Sequence, residues 1–351
     1  MPNRLTVLAA ALLWGLWVPG ASAVQVSGLY QTEVSVAGQD LEEQRRALRS
    51  ALTQVLIKVS GQRGVTGNEG IGAALKDPAR YVQQYRYRVV RDDTAPSAEP
   101  GQVLWAQFDR DAVNRLLRES GLSVWGRERP AVLIWLAVEE GSRRRLLGGD
   151  DGGQLVSALQ SRAAERGLPL VLPLLDLEDQ SRLRVTDVWG NFQDTVLAAS
   201  GRYASDAVLV ARAYRVLPGL WEAHWTLLEG DGAVAWTTQA DVPGGLLEEG
   251  IDRAADTLAA HFARPLEADV PGRLQLMVTD VNTLQDYARA SRYLASLDAV
   301  ERVHTTRVAP GRVWFRLEAA AGREAVARAI TLGRTLRAVD TTENWQYRLL
   351  P

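Results

Sequence analysis

The sequence predicts an α+β chain of three small α/β-type layers, and three observations carry that expectation. Apolar residues recur in short segments, some with period two and some with period 3.6. Strand-like and helix-like segments interleave instead of forming separate halves. Two breaks, at Gly126-Arg127-Glu128-Arg129-Pro130 and from Arg264-Pro265 to Pro271-Gly272, interrupt both periods. The 351 residues suit two or three cores of about 100 to 150 residues each.

The chain opens with Arg4, an apolar run from Leu5 to Val18, then Pro19, Gly20 and Ala21-Ser22-Ala23. That is the pattern of a secretory signal peptide cleaved after Ala23. The run of about 14 residues falls short of the ~20 that a membrane-crossing helix needs. The expectation is a periplasmic mature chain from Val24 onward with no later span. There is no cysteine, which excludes a lipobox anchor, disulfides, thiol catalysis, zinc–cysteine sites and iron–sulfur clusters. Acids and bases are mixed throughout and the net charge is −2, so nucleic acid is not an expected partner. No motif calls for a cofactor or a metal.

An N-terminal α+β domain is expected over 24–126. Val26, Tyr30, Val34 and Val36 alternate with polar residues as in a half-buried strand. Asp40 precedes Glu43 by three residues, an acidic form of the capping box, and Leu41, Leu48, Ala51, Leu52, Val55, Leu56 and Val59 follow at helical spacing until Ser60-Gly61. Short helical pieces come next around Ile71–Leu75 and Pro78–Gln83. Strands are expected at Tyr85–Arg91 and Gln102–Phe108, separated by a polar stretch from Asp92 to Gly101. A helix capped by Asp109 or Asp111 ends near Gly121. The order β-α-β-β-α suggests a small sheet with helices on one face.

A middle α/β domain of mixed sheet with helices is expected over 130–264. Ala131–Val138 is a continuous apolar run, as in a central strand buried on both faces. A helix at Gln154–Glu165, a strand at Leu168–Leu172 and a helix at Asn191–Ala199 follow. Strands at Ala207–Leu217, Leu220–Glu229 and Ala233–Ala240 are joined by Pro218-Gly219 and Gly230-Asp231-Gly232, which have hairpin chemistry. A helix with Ile251, Ala254, Ala255, Leu258 and Phe262 inward closes the unit. Over 271–351 the elements are a strand through Leu274, Leu276 and Val278, a helix at Leu284–Leu297, strands at Val300–Val308 and Arg312–Glu318, a helix at Arg323–Leu332, and short strands near Leu336–Val339 and Trp345–Leu349. β-α-β-β-α-β is the ferredoxin-like order, so a ferredoxin-like C-terminal domain is expected. The first and third units share part of this order, which would suit a duplicated fold.

Few residues suggest chemistry. The glycine-rich stretch Ser60–Gly70 is flanked by helices and its amides suit an anion, with Lys58 and Arg63 nearest; it lacks the ending of a phosphate-binding loop, so a structural loop is the competing reading. His224, His261 and His304 lie in different elements without metal spacing. The acid pairs Glu42-Glu43, Glu139-Glu140, Asp150-Asp151 and Glu248-Glu249 point apart along the backbone, which disfavours a dyad. Arg143-Arg144-Arg145 and the glycines and aspartates at 148–153 read as an exposed connection, with a flexible hairpin or an active lid as the alternative. No G-x-S-x-G elbow is present. Trp221 and Trp225 share a strand face with Ala223 and Leu227 and read as core. Trp314 instead alternates with Arg312 and Arg316, opposite Val313, Phe315 and Leu317, and the preceding strand adds Arg302 and His304 to the same face. That is the candidate partner or ligand surface, unless arginine stems or a neighbouring unit cover the indole.

Val26-Ser27-Gly28-Leu29-Tyr30, Val55-Leu56-Ile57-Lys58-Val59-Ser60-Gly61, Tyr81-Val82-Gln83-Gln84-Tyr85 and Trp125-Gly126 with Arg129-Pro130 together resemble an exported bacterial family. It is catalogued as domain of unknown function number two thousand and sixty-six. The resemblance runs over most of the mature chain and implies a Gram-negative envelope location without an established activity. The element order of the middle unit is also similar to the amino-terminal α/β domain of Tol translocation and curli-secretion proteins, a likeness of topology that transfers no function.

The expected function is a binding, assembly or adaptor protein of the bacterial cell envelope, with an envelope protein or polymer as partner. The alternatives are a periplasmic hydrolase acting on an envelope polymer and a carrier of a small anionic ligand. The hydrolase requires acids distant in sequence to meet in a cleft.

Overall fold

The computed structural model describes residues 24–90, 101–151, 153–263, 272–319, 322–333, 335–339 and 345–351. The expected leader, most of the Asp92–Gly101 stretch and the boundary at 264–271 lie outside these residues. Among those described, the chain is an α+β protein with sheets of three, six and five strands and a two-stranded bridge. No described helix is long and apolar enough to cross a membrane.

The first sheet follows from β1 (Val24–Gln25), β2 (Gln31–Val36), α1 (Leu41–Ser60), α2 (Glu69–Ala74), β3 (Val82–Val90), β4 (Gly101–Phe108), α3 (Arg110–Glu119) and β5 (Glu128–Arg129). The strand expected across Val26–Val36 is two strands, because Gly28 at φ 73° turns the chain where a side chain would be strained. β1 pairs with β5, and β2 joins the antiparallel order β2-β4-β3. Asp40 caps α1 through the Glu42 and Glu43 N–H groups. Glu43 reaches back to the Ala37 N–H at 3.2 Å, one turn further than the expected reciprocal cap. Ala51, Leu52, Val55, Leu56 and Val59 then pack against Leu104, Ala106 and Phe108. Of the two candidate caps for α3, Asp109 is the one used, accepting from the Ala112 N–H at 2.7 Å.

In the middle sheet, β6 (Val132–Glu140) is buried nearly throughout. The sheet is completed by β7 (Arg143–Leu147), β8 (Leu170–Val171), β9 (Ala207–Leu217), β10 (Leu220–Glu229) and β11 (Gly232–Ala240) in the order β11-β10-β9-β6-β7, with β8 also on β6. Val132, Ile134 and Leu136 face a core closed by α4 (Gln154–Arg166) and α8 (Pro243–Phe262). Leu133, Trp135 and Ala137 face the other core, under α5 (Leu177–Arg182), α6 (Val185–Trp189) and α7 (Gln193–Ser200). Burial on both faces is why this strand lacks alternation. β7 decides between the readings of Arg143–Arg145: the hairpin alternative holds and the plain connection does not, with Arg144 and Arg145 pairing with Glu139, Glu140 and Asp151.

The last sheet contains β12 (Gly272–Val281), α9 (Leu284–Ser296), β13 (Val300–Ala309), β14 (Gly311–Ala319), α10 (Arg323–Leu332), β15 (Leu336–Ala338) and β16 (Gln346–Leu349). Its β13-β14-β12 part has the ferredoxin-like order, but β16 lies parallel to β12 where that fold has an antiparallel strand, and β15, which follows α10, is displaced to the edge. The first sheet repeats the β-α-β-β part of that order, since β3-β4-β2 corresponds to β13-β14-β12.

Two buried arginines tie the first sheet to the middle one. Arg129 is fully buried, stacks 4.1 Å over Trp125, and spends its five N–H groups on the carbonyls of Gly126, Arg166, Gly167, Lys58 and Trp125. Three of those carbonyls lie at the C-terminal ends of α1 and α4, where the helix dipole favours a cation. Arg166 binds Asp252, Asp256 and the Gly61 carbonyl. Gly61 sits at φ 73°, and a Cβ there would come within 2.3 Å of Ala259, so its lack of a side chain is what lets α1 end against α8. On the other side, Asp298 accepts from the Arg127 main-chain N–H at 2.7 Å and pairs with Arg110, joining the last sheet to the first.

Candidate functional site

The five residues singled out on β13 and β14 come together on one open face of the last sheet. Cross-strand pairing places them in rows. Arg302, Glu318 and Arg273 form the first row, followed by His304, Arg316 and Gln275. Arg307, Trp314, Met277 and Gln346 form the third, and Arg312, Thr279, Arg348 and Arg337 the fourth. Leu274, Leu276, Val278, Val313, Phe315 and Leu317 point the other way and pack under α9 and α10. The face therefore has a Trp314–Met277 centre and a basic rim.

The rim is only lightly neutralised. Arg302 and His304 share Glu318 at 3.4 and 3.6 Å, and Arg348 meets Asp280 at 3.2 Å. Among the described residues, no carboxylate is within ion-pair distance of Arg273, Arg307, Arg312, Arg316 or Arg337. The Arg307 guanidinium lies over the Trp314 ring at 4.8 Å, so one face of the indole carries a cation. Lys58 and Lys76 are the chain's only lysines, so it is the clustering on this face, and not the choice of arginine, that carries information.

Sequence reasoning missed Arg273, Arg307, Arg337 and Arg348. Arg273 and Arg348 alternate with buried neighbours and were available from strand parity. Arg307 was not, because a bulge between Thr305 and Arg307 shifts the parity of β13 and sets Arg307 opposite Trp314.

The proposed anion loop is corrected. Arg63–Gly67 is a 3₁₀ turn, and its two cations are committed elsewhere. Lys58 is buried with Nζ donating to the Gln31 carbonyl at 3.2 Å; burial, with Arg129 nearby, lowers its pKa. Arg63 binds Glu249 and Asp256, each at 2.8 Å. The two do not share a site.

The histidines stay apart, each beside its own glutamate: His224 with Glu222, His261 with Glu229 and His304 with Glu318. Among the described residues no group of three His, Cys, Asp or Glu is arranged to hold a metal ion. Glu42, Glu43, Glu139, Glu140, Asp151 and Glu249 are taken up in ion pairs with arginines. Trp225 is core, stacked on Trp236 with Nε1 donating to Thr238 at 2.8 Å.

A second polar constellation went unrecognised because His224 was judged alone. Glu222 and His224 are two apart on β10 and so share a face. Tyr214 pairs directly with Glu222 across the hairpin, and its hydroxyl donates to Glu222 Oε1 at 2.5 Å. His224 Nε2 lies 3.0 Å from the same oxygen. The Tyr214 hydrogen bond is the largest influence holding the Glu222 carboxyl below the usual range, and the same bond raises the Tyr214 phenol.

Residues 23–126 match a family model described as a domain of unknown function (DUF8605). The match covers the first sheet and its helices. The expectation of family number two thousand and sixty-six is thereby corrected: the family found is a different one, and it spans these residues instead of most of the chain. No curated protein matches the chain.

Proposed function

We propose that the protein is a periplasmic binding and assembly protein of the bacterial cell envelope that docks an acidic protein partner on the open face of its last sheet. The single observation behind this reading is the arrangement of seven arginines around Trp314 and Met277, with Glu318 as the carboxylate within the rows. Protein interfaces concentrate tryptophan, methionine and arginine and have an apolar centre with a polar rim. A basic rim also steers an acidic partner toward the face. The leader pattern at residues 1–23 supports export, and the absence of cysteine from the whole chain rules out lipid anchoring through a lipobox.

A flat sheet face suits a macromolecular surface better than a small ion, which it would contact from one side only. The test is site-specific photo-crosslinking in cells with the photoreactive residue in place of Gln275, an exposed neighbour of Arg316 on the same face. It should yield one reproducible envelope protein, lost in R312E/R316E. Absence of a product, or a product indifferent to charge reversal, counts against the reading.

A further inference from the structure

The open end of the middle sheet carries a second site, on the face partly roofed by α5–α7. There Arg212, His224 and Thr237 lie side by side on β9, β10 and β11, and Val210, Thr226 and Ala235 form the next row. The roof ends at Asn191, whose φ of 54° turns the chain down onto the sheet and lets Nδ2 donate to Thr226 Oγ1 at 3.2 Å. A cleft of about 310 Å³ opens at this step, lined by these polar groups over Val188, Val210 and Ala235. That volume is at the lower end for small-molecule pockets.

Its lining holds the Arg212 guanidinium and no carboxylate. Arg212 is half-buried, anchors Nη1 on the Trp189 carbonyl at 2.7 Å, and has no carboxylate at ion-pair distance among the described residues. Thr226 accepts from Asn191, which leaves its own hydroxyl hydrogen for a ligand. His224 is held through Nε2 by Glu222, so Nδ1 is the acceptor nitrogen and takes the Thr237 hydroxyl proton, 3.3 Å away. Glu222 itself stands one row back, not in the lining, with Oε2 accepting from Gln239 at 2.7 Å and Oε1 from Tyr214. A half-buried guanidinium beside the free Thr226 hydroxyl hydrogen, with no counter-charge in the cleft, lacks the anion that would offset its desolvation.

We infer that this cleft binds a small anion with a short apolar body, a carboxylate or a phosphate monoester. Arg212 and Thr226 grip the head beside Thr237, and Val188, Val210 and Ala235 take the body. The site is separate from the arginine face of the last sheet and does not depend on it.

The experiment uses the purified mature chain, titrated with sodium butyrate and with inorganic phosphate at constant ionic strength, followed by calorimetry and thermal midpoint. Saturable binding of either probe is expected; butyrate alone assigns a carboxylate head and phosphate alone a phosphoryl head. R212Q should weaken it at least about tenfold, as loss of a charge-assisted hydrogen bond implies. The surface variant T237V, which tests the site without disturbing buried groups, should weaken it less. R312E/R316E should bind as the wild type does, which separates this site from the docking face. No saturable response to either probe, or equal responses in wild type and both R212Q and T237V, overturns the inference.

Discussion

The Arg307 guanidinium lies 4.8 Å above the Trp314 ring, joined to it across a β-bulge that the flanking pairs do not share. This pair marks the centre of the docking face, where an apolar ring meets uncompensated charge. W314A should therefore weaken partner binding by about 2 kcal/mol or more, in the range of an interface hot spot. R307A should cost less, because a cation–π contact at an exposed site contributes only about 0.5 to 1 kcal/mol. Binding isotherms for the two variants, with unfolding midpoints as controls, check the order.

Arg129 is the strongest structural requirement in the chain. R129M would leave five carbonyls without their donor, two of them from α4 and one from α1. The expected loss is about 3 to 5 kcal/mol, as for breaking a buried charged network. Urea unfolding followed by tryptophan fluorescence measures it, and a loss under about 1 kcal/mol would remove the clamp from the account.

Gly250 sits in α8 against Trp225, and a Cβ there would approach the indole to 2.0 Å. G250A raises helix propensity, which alone would stabilise by somewhat under 1 kcal/mol. The clash is with a ring buried on all sides, so overpacking should win and the net effect should be destabilisation of about 1 to 3 kcal/mol. A raised thermal midpoint would show that α8 shifts freely.

Asp252 supplies a pH dependence. Burial raises its carboxyl pKa, but hydrogen bonds from Arg162 and Arg166 outweigh burial and hold it below the ordinary range. A depressed carboxylate contributes stability that is complete above the unfolded pKa of about 3.9 and is lost as pH falls through the lower folded value. D252N should thus be less stable than wild type at pH 7, and the difference should shrink below about pH 4. Denaturation curves at both pH values test this; a gap that widens with acid contradicts the sign.

Much of the fold is legible wherever local chemistry and burial agree. β9 and β10 have the bounds expected from Pro218-Gly219 and the flanking alternation. The ferredoxin-like order follows from periodicity alone. What escaped was stabilised from outside its own segment. α5 reads LEDQSR, nearly without apolar residues, and is held by its Asp176 cap and by Arg202 from beyond α7. β7 reads as a basic loop until β6 supplies Glu139 and Glu140 opposite it. The arginine face was half visible, because strand parity works within β14 but cannot reveal that β12, β15 and β16 lie beside it.

The measurement that bears most directly on the docking face is quantitative crosslinking from position 275 in cells, comparing the otherwise wild-type chain with R312E/R316E at equal abundance. The account predicts one dominant envelope partner, an acidic contact surface on that partner, and loss of the product on charge reversal while the thermal midpoint is unchanged. The same product in both chains, or products no different from those of a probe placed at exposed Leu41 on the first unit, would contradict it.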